Sequence, residues 1–497
     1  MEFNSFTFLF LLLPLSLTVF FMLPQRLRSV WLIAAGIFFY YWSEGPYAWL
    51  LAMLILILFS AARLMRPPAG GKSGRVFFAL ALALLILVFV HFKYGNFLAA
   101  NVNAMLGLFS LPPLRFEPVH LPLGISFFMF SAISCLVDLR RLPAGEQRPG
   151  LRSIALYITL FPKLLTGPLV PFHEFVRLEK QWAITARRIL FGIQRFILGL
   201  GKKVLVADVL ARTANGVFSM PAAQLDLSLS WIGLIAFTLQ IYFDFSGYSD
   251  MAIGLGAIMG FDFPENFRYP YAARSIKEFW SRWHITLSQW LRDYVFLPLA
   301  YRILDLLKKE RYLALRSEHW SYIGATTLTM TLCGMWHGAG WPFAAWGLYH
   351  AFFMVSEHMG LGRRLKRLWL PLRHLYAILV VAFGWVLFRS PSLSFAGSYY
   401  NALIGRGRGQ GAVFFPALFI DSEVFLATAI AVAGSLALAP WLNSLALRLL
   451  SRWQEKKQNF LRLSLAAFRL LYLSGVSLLS SLYLVGGTYH PFLYLRF

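Results

Sequence analysis

Apolar runs of roughly 15–25 residues, the length that a helix needs to cross a bilayer, recur along nearly the whole chain. They fall near 6–23, 29–43, 46–65, 76–92, 121–139, 230–261, 321–338, 342–358, 375–389, 423–441 and 464–486. The pattern predicts an all-α polytopic membrane protein with about 11 transmembrane helices. Two stretches depart from it. In YITLFPKLLTGPLVPF, Pro162, Gly167, Pro168 and Pro171 interrupt an apolar run. Such breaks survive at membrane depth only where protein or water covers the freed backbone, so a re-entrant segment lining a cavity is expected. In 278–294, Trp280, Trp283, His284, Leu287, Leu291 and Tyr294 follow helical spacing, with Glu278, Arg282, Gln289 and Asp293 opposite. That predicts one amphipathic helix lying at the cytoplasmic interface.

Basic residues sit between the runs. PQRLR (24–28), the segment carrying Arg63, Arg66, Lys72 and Arg75, RRLPAGEQRPGLR after 139, the loop near 308–316, RRLKRLW (363–369) and 448–462 alternate with charge-poor connections at 43–46, 93–120 and 390–422. The positive-inside rule then places both termini on the outer side, away from the cytoplasm. The formal charge of +24 reflects these orientation signals, and no nucleic-acid motif accompanies it. With 58% hydrophobic and 14% charged residues, a soluble class is excluded. Cys135 and Cys333 both lie in apolar segments, which predicts no disulfide. The start, MEFNSFTFLFLLLPLSLTVFFML, lacks a basic n-region and a small-residue cleavage site and reads as a retained first helix. No internal repeat of the kind found in transporters is visible.

Few polar groups interrupt the apolar runs. His337 closes the run that begins near Tyr322, and an ionisable group at that depth marks a functional site by default. Histidine titrates near neutrality and can take or give a proton. Asp244 and Asp250 interrupt 230–261, with Tyr248 between them, and Asn266 follows. These four either orient histidines or hold helix breaks together. His350 reads as a core histidine or a further functional one. No two histidines have a metal-ligand spacing such as H-x-x-x-H, so no metal is expected.

FWSRWHITLSQWLRDYV, followed about fifty residues later by MWHGAGWPFAAWGLYH, resembles the membrane-bound O-acyltransferase (MBOAT) family. The bacterial branch that serves alginate O-acetylation and teichoic-acid D-alanylation is the nearest in pattern. FKYGNF (92–97), LPLGISFF (121–128), FPKLLTGPLVPFHEF (161–175), GLGKKVLVAD (199–208), FDFSGYSDMAIG (243–254) and PENFRYPY (264–271) add to the likeness, in order. After LPLGISF the chain departs from the branch, reading FMFSA. The resemblance implies the MBOAT fold in a single domain over 1–497, with a catalytic core at about 90–350 and C-terminal helices and tail over 375–497. It implies acyl transfer from a cytoplasmic thioester, acetyl-CoA, to a hydroxyl, with no bound cofactor. His337 is then the general base. His284 positions the thioester, assists proton transfer, or is an interfacial ring beside Trp283. PFLYLRF (491–497) resembles the branch's F-x-Y-x-x-F ending, which makes Tyr494 an acyl relay or an interfacial anchor. A bacterial inner-membrane location is implied, as is a periplasmic or membrane-anchored SGNH-type acetyltransferase partner serving a polysaccharide acceptor. Direct acylation of a lipid or protein hydroxyl, and transport, are the rival functions.

Overall fold

A computed structural model describes residues 3–65, 72–143, 146–407, 409, 416–436, 444, 455–486 and 491–493. The chain is built of helices, with one two-stranded antiparallel hairpin pairing Arg311 with Arg316 and Tyr312 with Leu315. In order the main helices are α1 Leu13–Met22, α2 Gln25–Glu44, α3 Trp49–Leu64, α4 Lys72–Leu108, α5 Ile125–Arg141, α6 Leu151–Thr159, α7 Phe172–Lys180, α8 Ala186–Gly201, α9 Asp208–Phe218 and α10 Leu227–Ile258. They continue as α11 Ile276–Trp280, α12 Ile285–Leu291, α13 Leu297–Leu306, α14 Ser317–His337, α15 Trp341–Ser356, α16 Leu370–Arg389, α17 Leu393–Leu403, α18 Ser422–Ser435 and α19 Glu455–Val485.

Length and apolarity alone do not establish all of the expected 11 spans. Among the described residues, five helical stretches are long and apolar enough to cross a membrane: Gln25–Leu64, Ser73–Leu108, Leu227–Ile258, Leu370–Arg389 and Leu463–Val485. Phe8–Met22 and Ser422–Ser435 are shorter apolar helices. Several other expected spans are shorter or carry Ser, Thr, Gly and His, as α5, α14 and α15 do. They pack against protein rather than lipid alone, so full lipid-facing hydropathy is not required of them. The charge-poor connection at 93–120 is also not all loop, because α4 continues to Leu108.

At the centre runs α10, buried along nearly its whole length. Asp244 and Asp250, which interrupt the apolar run in the sequence, do not break the helix, since cations from α8 and the π-helical turn Lys202–Ala207 neutralise both. α8 lies backbone to backbone on α10: a Cβ on Gly199 would come within 2.6 Å of the Gly247 carbonyl, and one on Gly254 within 2.6 Å of the Gly192 carbonyl. Small residues on both helices permit that approach, as they do in membrane helix pairs. Around this axis lie two apolar cores, one with α1–α6, the other with α14–α18. Cys135 and Cys333 are buried and free.

Candidate active site

His337 is the last residue of α14, and the turn 338–340 leads straight into α15. The two helices touch closely at Gly347, where a Cβ would lie 2.2 Å from the Met330 carbonyl. This contact sets the position of His337, whose ring packs against Trp336, Trp346 and Phe388 at centroid distances of 4.8, 5.2 and 5.1 Å. From α4, the Tyr94 hydroxyl donates to the Met335 carbonyl at 2.8 Å and ties the end of α14 in place.

His284 does not sit on one interfacial helix. The expected helix over 278–294 breaks at this residue into α11 and α12, with His284 in the left-handed region at φ 42°, ψ 53°. For a residue with a Cβ that conformation is strained and persists only when its surroundings fix it. The fixing comes from Asn266, in the extended strap before α11. Its carbonyl oxygen pairs with His284 Nδ1 at 3.1 Å and accepts from the Thr286 amide at 3.3 Å and hydroxyl at 2.9 Å. Its amide nitrogen donates to Ser249 Oγ on α10 at 3.0 Å. Because that oxygen is an acceptor, the proton lies on His284 Nδ1 and Nε2 presents its lone pair. Nε2 is shut from solvent and has no hydrogen-bond partner among the described residues. The ring is fully buried, with Phe245 edge-on at 4.6 Å. It is a core group, not an interfacial one.

The fold brings both histidines against one indole, with Trp336 5.9 Å from the His284 ring and 4.8 Å from the His337 ring. Beside them opens a narrow cavity of about 30 Å³, lined by His337, Trp336, Lys93, Ser126, residues 121–127, Leu165 and Thr166. That space takes roughly one or two water molecules. Leu165 and Thr166 belong to the stretch predicted to be re-entrant, and it does line a cavity. The Thr286 hydroxyl accepts from the Leu169 amide at 3.1 Å, joining that stretch to the Asn266 network.

Lys93 and Ser126 escaped the sequence reading. Lys93 is 6% exposed and its Nζ donates to Ser126 Oγ at 3.1 Å. The signal was present, since a lysine inside a long apolar helix is a functional marker by default. Of the four supporting residues expected, Asn266 touches a histidine; the other three serve elsewhere. Asp250 accepts from Arg195 at 2.8 Å and Lys202 at 2.7 Å. Asp244 accepts from the buried Lys203 at 2.7 Å, which also donates to Asp208 at 2.7 Å. Its second oxygen accepts from the Leu493 amide of the C-terminal tail at 2.9 Å. Tyr248 packs edge-on against Phe492 at 4.7 Å. The tail over 491–493 is therefore tucked against α10, and Phe492 is 1% exposed. Tyr494 lies outside the described residues. His350 is a core ring between Trp280 and Trp346, at 5.3 and 4.9 Å. Among the described residues no group of three or more His, Cys, Asp or Glu side chains is placed to hold a metal ion.

Two buried histidines against one tryptophan, with a small cavity lined by His337, Lys93, Ser126 and Thr166, make up the candidate site of this helical membrane body. The chain belongs to the membrane-bound O-acyltransferase family, whose model matches residues 34–399, and it is a multi-pass membrane acyltransferase. It is 36% identical to the probable alginate O-acetylase AlgI of Azotobacter vinelandii over 410 residues, 82% of this chain and 79% of that one. It is 30% identical to the peptidoglycan O-acetyltransferase of Helicobacter pylori, covering 81% and 80%. With the teichoic acid D-alanyltransferase of Bacillus subtilis it shares 32% identity over 55% of this chain and 70% of that one.

Proposed function

We propose that the protein is an O-acetyltransferase of a bacterial inner membrane. It takes an acetyl group from cytoplasmic acetyl-CoA and passes it outward for O-acetylation of an envelope or exported polysaccharide of the alginate type. The observation that carries this reading is the contact of both His284 and His337 with Trp336, and the cavity lined by His337, in a member of an acyltransferase family. The relatives named for alginate and peptidoglycan acetylation support the acetyl group and the polysaccharide.

In the mechanism, His337 takes the proton of the acceptor hydroxyl as its oxygen attacks the thioester carbonyl. The ammonium of Lys93, in the same cavity, is a donor for the oxyanion that forms. The C–S bond then breaks, and coenzyme A leaves as the thiol with a proton returned from the imidazolium. His284, its tautomer fixed by Asn266, offers the Nε2 lone pair as a second proton acceptor. The acceptor hydroxyl is the phenol of Tyr494, which relays the acetyl group to a periplasmic or membrane-anchored SGNH-type acetyltransferase. Residues 491–493, held at Asp244 and Tyr248 on the helix whose Phe245 touches His284, support this path. Both termini are periplasmic in this scheme.

The test is radiolabelled acetyl-CoA with purified wild type, His337→Ala and Tyr494→Phe, with label mapped by mass spectrometry. Label on Tyr494 of the wild type, lost in both variants, is the expected result. Turnover that depends on His337 without label on Tyr494 removes the relay. Label passing to lipid with no partner present indicates direct acylation. No consumption of acetyl-CoA, even with a periplasmic partner, overturns the donor.

A further inference from the structure

A cleft of about 580 Å³ opens where α2 and α6 both begin, and is lined by Pro24, Gln25, Arg26, Ser29, Arg152 and Trp182. Among the described residues no carboxylate lines it, and neither Arg26 nor Arg152 makes an ion pair. Other arginines of these segments are engaged. Arg28 Nε donates to the Leu23 carbonyl at 3.1 Å, and its guanidinium lies over the Phe20 ring. Arg148 donates to the Leu139 carbonyl at 2.8 Å and to the Met65 carbonyl at 3.0 Å. Arg188 pairs with Asp262. Trp182 forms a fixed wall, its indole nitrogen donating to the Met259 carbonyl at 2.6 Å and its ring stacked on Phe261 at 5.2 Å. Two guanidinium groups in one cleft repel each other and draw in an anion. The planar fork of each fits phosphate oxygens bidentately.

We propose that this cleft seats the phosphate of an anionic phospholipid such as phosphatidylglycerol. Three observations favour a lipid over a free phosphate. The neighbouring surface is apolar and faces outward: Phe21, Met22, Leu27 and Val30, on α1 and α2, are all exposed, so acyl chains have a surface to lie on beside the cleft. An indole at the rim suits the depth of lipid headgroups. PQRLR and the end of RRLPAGEQRPGLR, which supply the two arginines, face the cytoplasm in the proposed orientation, where basic pockets between membrane helices take anionic headgroups. A phosphate held by both arginines bridges the starts of α2 and α6. The same helices meet further on, where a Cβ on Gly36 would come within 1.8 Å of the Thr159 carbonyl. From there the chain runs into the stretch whose Leu165 and Thr166 line the cavity beside His337. The lipid therefore braces the scaffold behind that cavity.

Full-length wild type, the Arg26→Gln/Arg152→Gln variant and a control on the basic hairpin, Arg311→Gln/Arg316→Gln, are placed in phosphatidylcholine nanodiscs with rising fractions of phosphatidylglycerol. Melting temperature is followed, and the lipid each protein retains on release is counted by native mass spectrometry. Melting in phosphatidylcholine alone shows that the variants are folded; Arg152→Gln alone replaces the double variant if that one is not. Wild type and control are expected to retain phosphatidylglycerol over phosphatidylcholine and to melt higher with it. The cleft variant should need at least about tenfold more, the effect of removing two cations from a headgroup site. Inorganic phosphate at millimolar concentration should not displace the lipid. Equal retention by wild type and cleft variant, or an equal loss in the hairpin control, overturns the site. Equal retention of the two lipids by the wild type overturns the anionic headgroup, and displacement by inorganic phosphate overturns the lipid in favour of a soluble anion.

Discussion

Asn266→Ala is the most informative single change to the candidate site. The residue is fully buried, and its one carbonyl oxygen serves His284 Nδ1 at 3.1 Å, the Thr286 amide at 3.3 Å and the Thr286 hydroxyl at 2.9 Å. Alanine leaves the Thr286 amide and the His284 Nδ1–H as fixed buried donors without that partner, while the Thr286 hydroxyl, which also loses it, can rotate. At about 1–3 kcal/mol for each buried donor left unsatisfied, the loss is about 2–6 kcal/mol, lower if water enters the space. Ser249→Ala is the control. It strips the partner of the Asn266 amide nitrogen (3.0 Å) and leaves one donor unsatisfied, about 1–3 kcal/mol, with the histidine contact intact. Melting temperature in detergent should therefore fall further for Asn266→Ala than for Ser249→Ala. Acetyl-CoA turnover, measured well below both melting points, should fall on the order of 100-fold for Asn266→Ala, because a freed imidazole leaves its working geometry. Ser249→Ala should keep most of its rate. If Asn266→Ala melts and turns over like wild type, the network around His284 does not position it and the reasoning fails.

Three further outcomes follow from the ion pairs. Lys203→Met strands Asp208 and Asp244 in the interior, both at 2.7 Å from the lysine, and should cost about 3–5 kcal/mol; adding Asp208→Asn and Asp244→Asn should restore much of the lost melting temperature. Leu493→Pro removes the amide that Asp244 accepts at 2.9 Å and trims a buried side chain. It should raise protease or hydrogen-exchange susceptibility of the tail with a much smaller melting shift than Lys203→Met, and an unchanged tail would refute the seat. A hydrogen bond to Asp138 (Nδ1–Oδ2 3.0 Å) raises the His173 imidazole above its ordinary value. A raised folded-state pKa stabilises the fold below the unfolded value of about 6.5, and the effect is lost as pH rises through the folded value. The melting difference between wild type and His173→Gln should thus be largest below about pH 6.5 and shrink toward alkaline pH.

Much of this was legible because bilayer thickness writes itself into run length. The apolar runs announced a membrane protein, the Pro- and Gly-broken stretch announced buried irregular backbone, and His337 stood out as an ionisable group at the end of such a run. The spacing over 278–294 misled for a specific reason. Helical periodicity continues across His284, while the break there is made by Asn266, a residue eighteen positions upstream. For the aspartates the sequence left two roles open, orienting histidines or bracing helix breaks. A carboxylate in an apolar run looks like a break until the cation that neutralises it is known, and Arg195, Lys202 and Lys203 come from another helix.

By itself, then, the sequence determined what depends on local chemistry: helices of membrane length, the likeness of its histidine and tryptophan motifs to an acyltransferase family, and the placement of His337 at a helix end. Tertiary structure alone decided that His284 and His337 pack on one tryptophan, that Lys93 lines a cavity with His337, that Asp244 seats the tail, and that basic residues from separate segments line one cleft. Each of these is a contact between groups far apart in the chain. Hydropathy and periodicity report only on a residue's near neighbours, and the pairing of buried polar groups is settled by whichever distant partner the packing supplies.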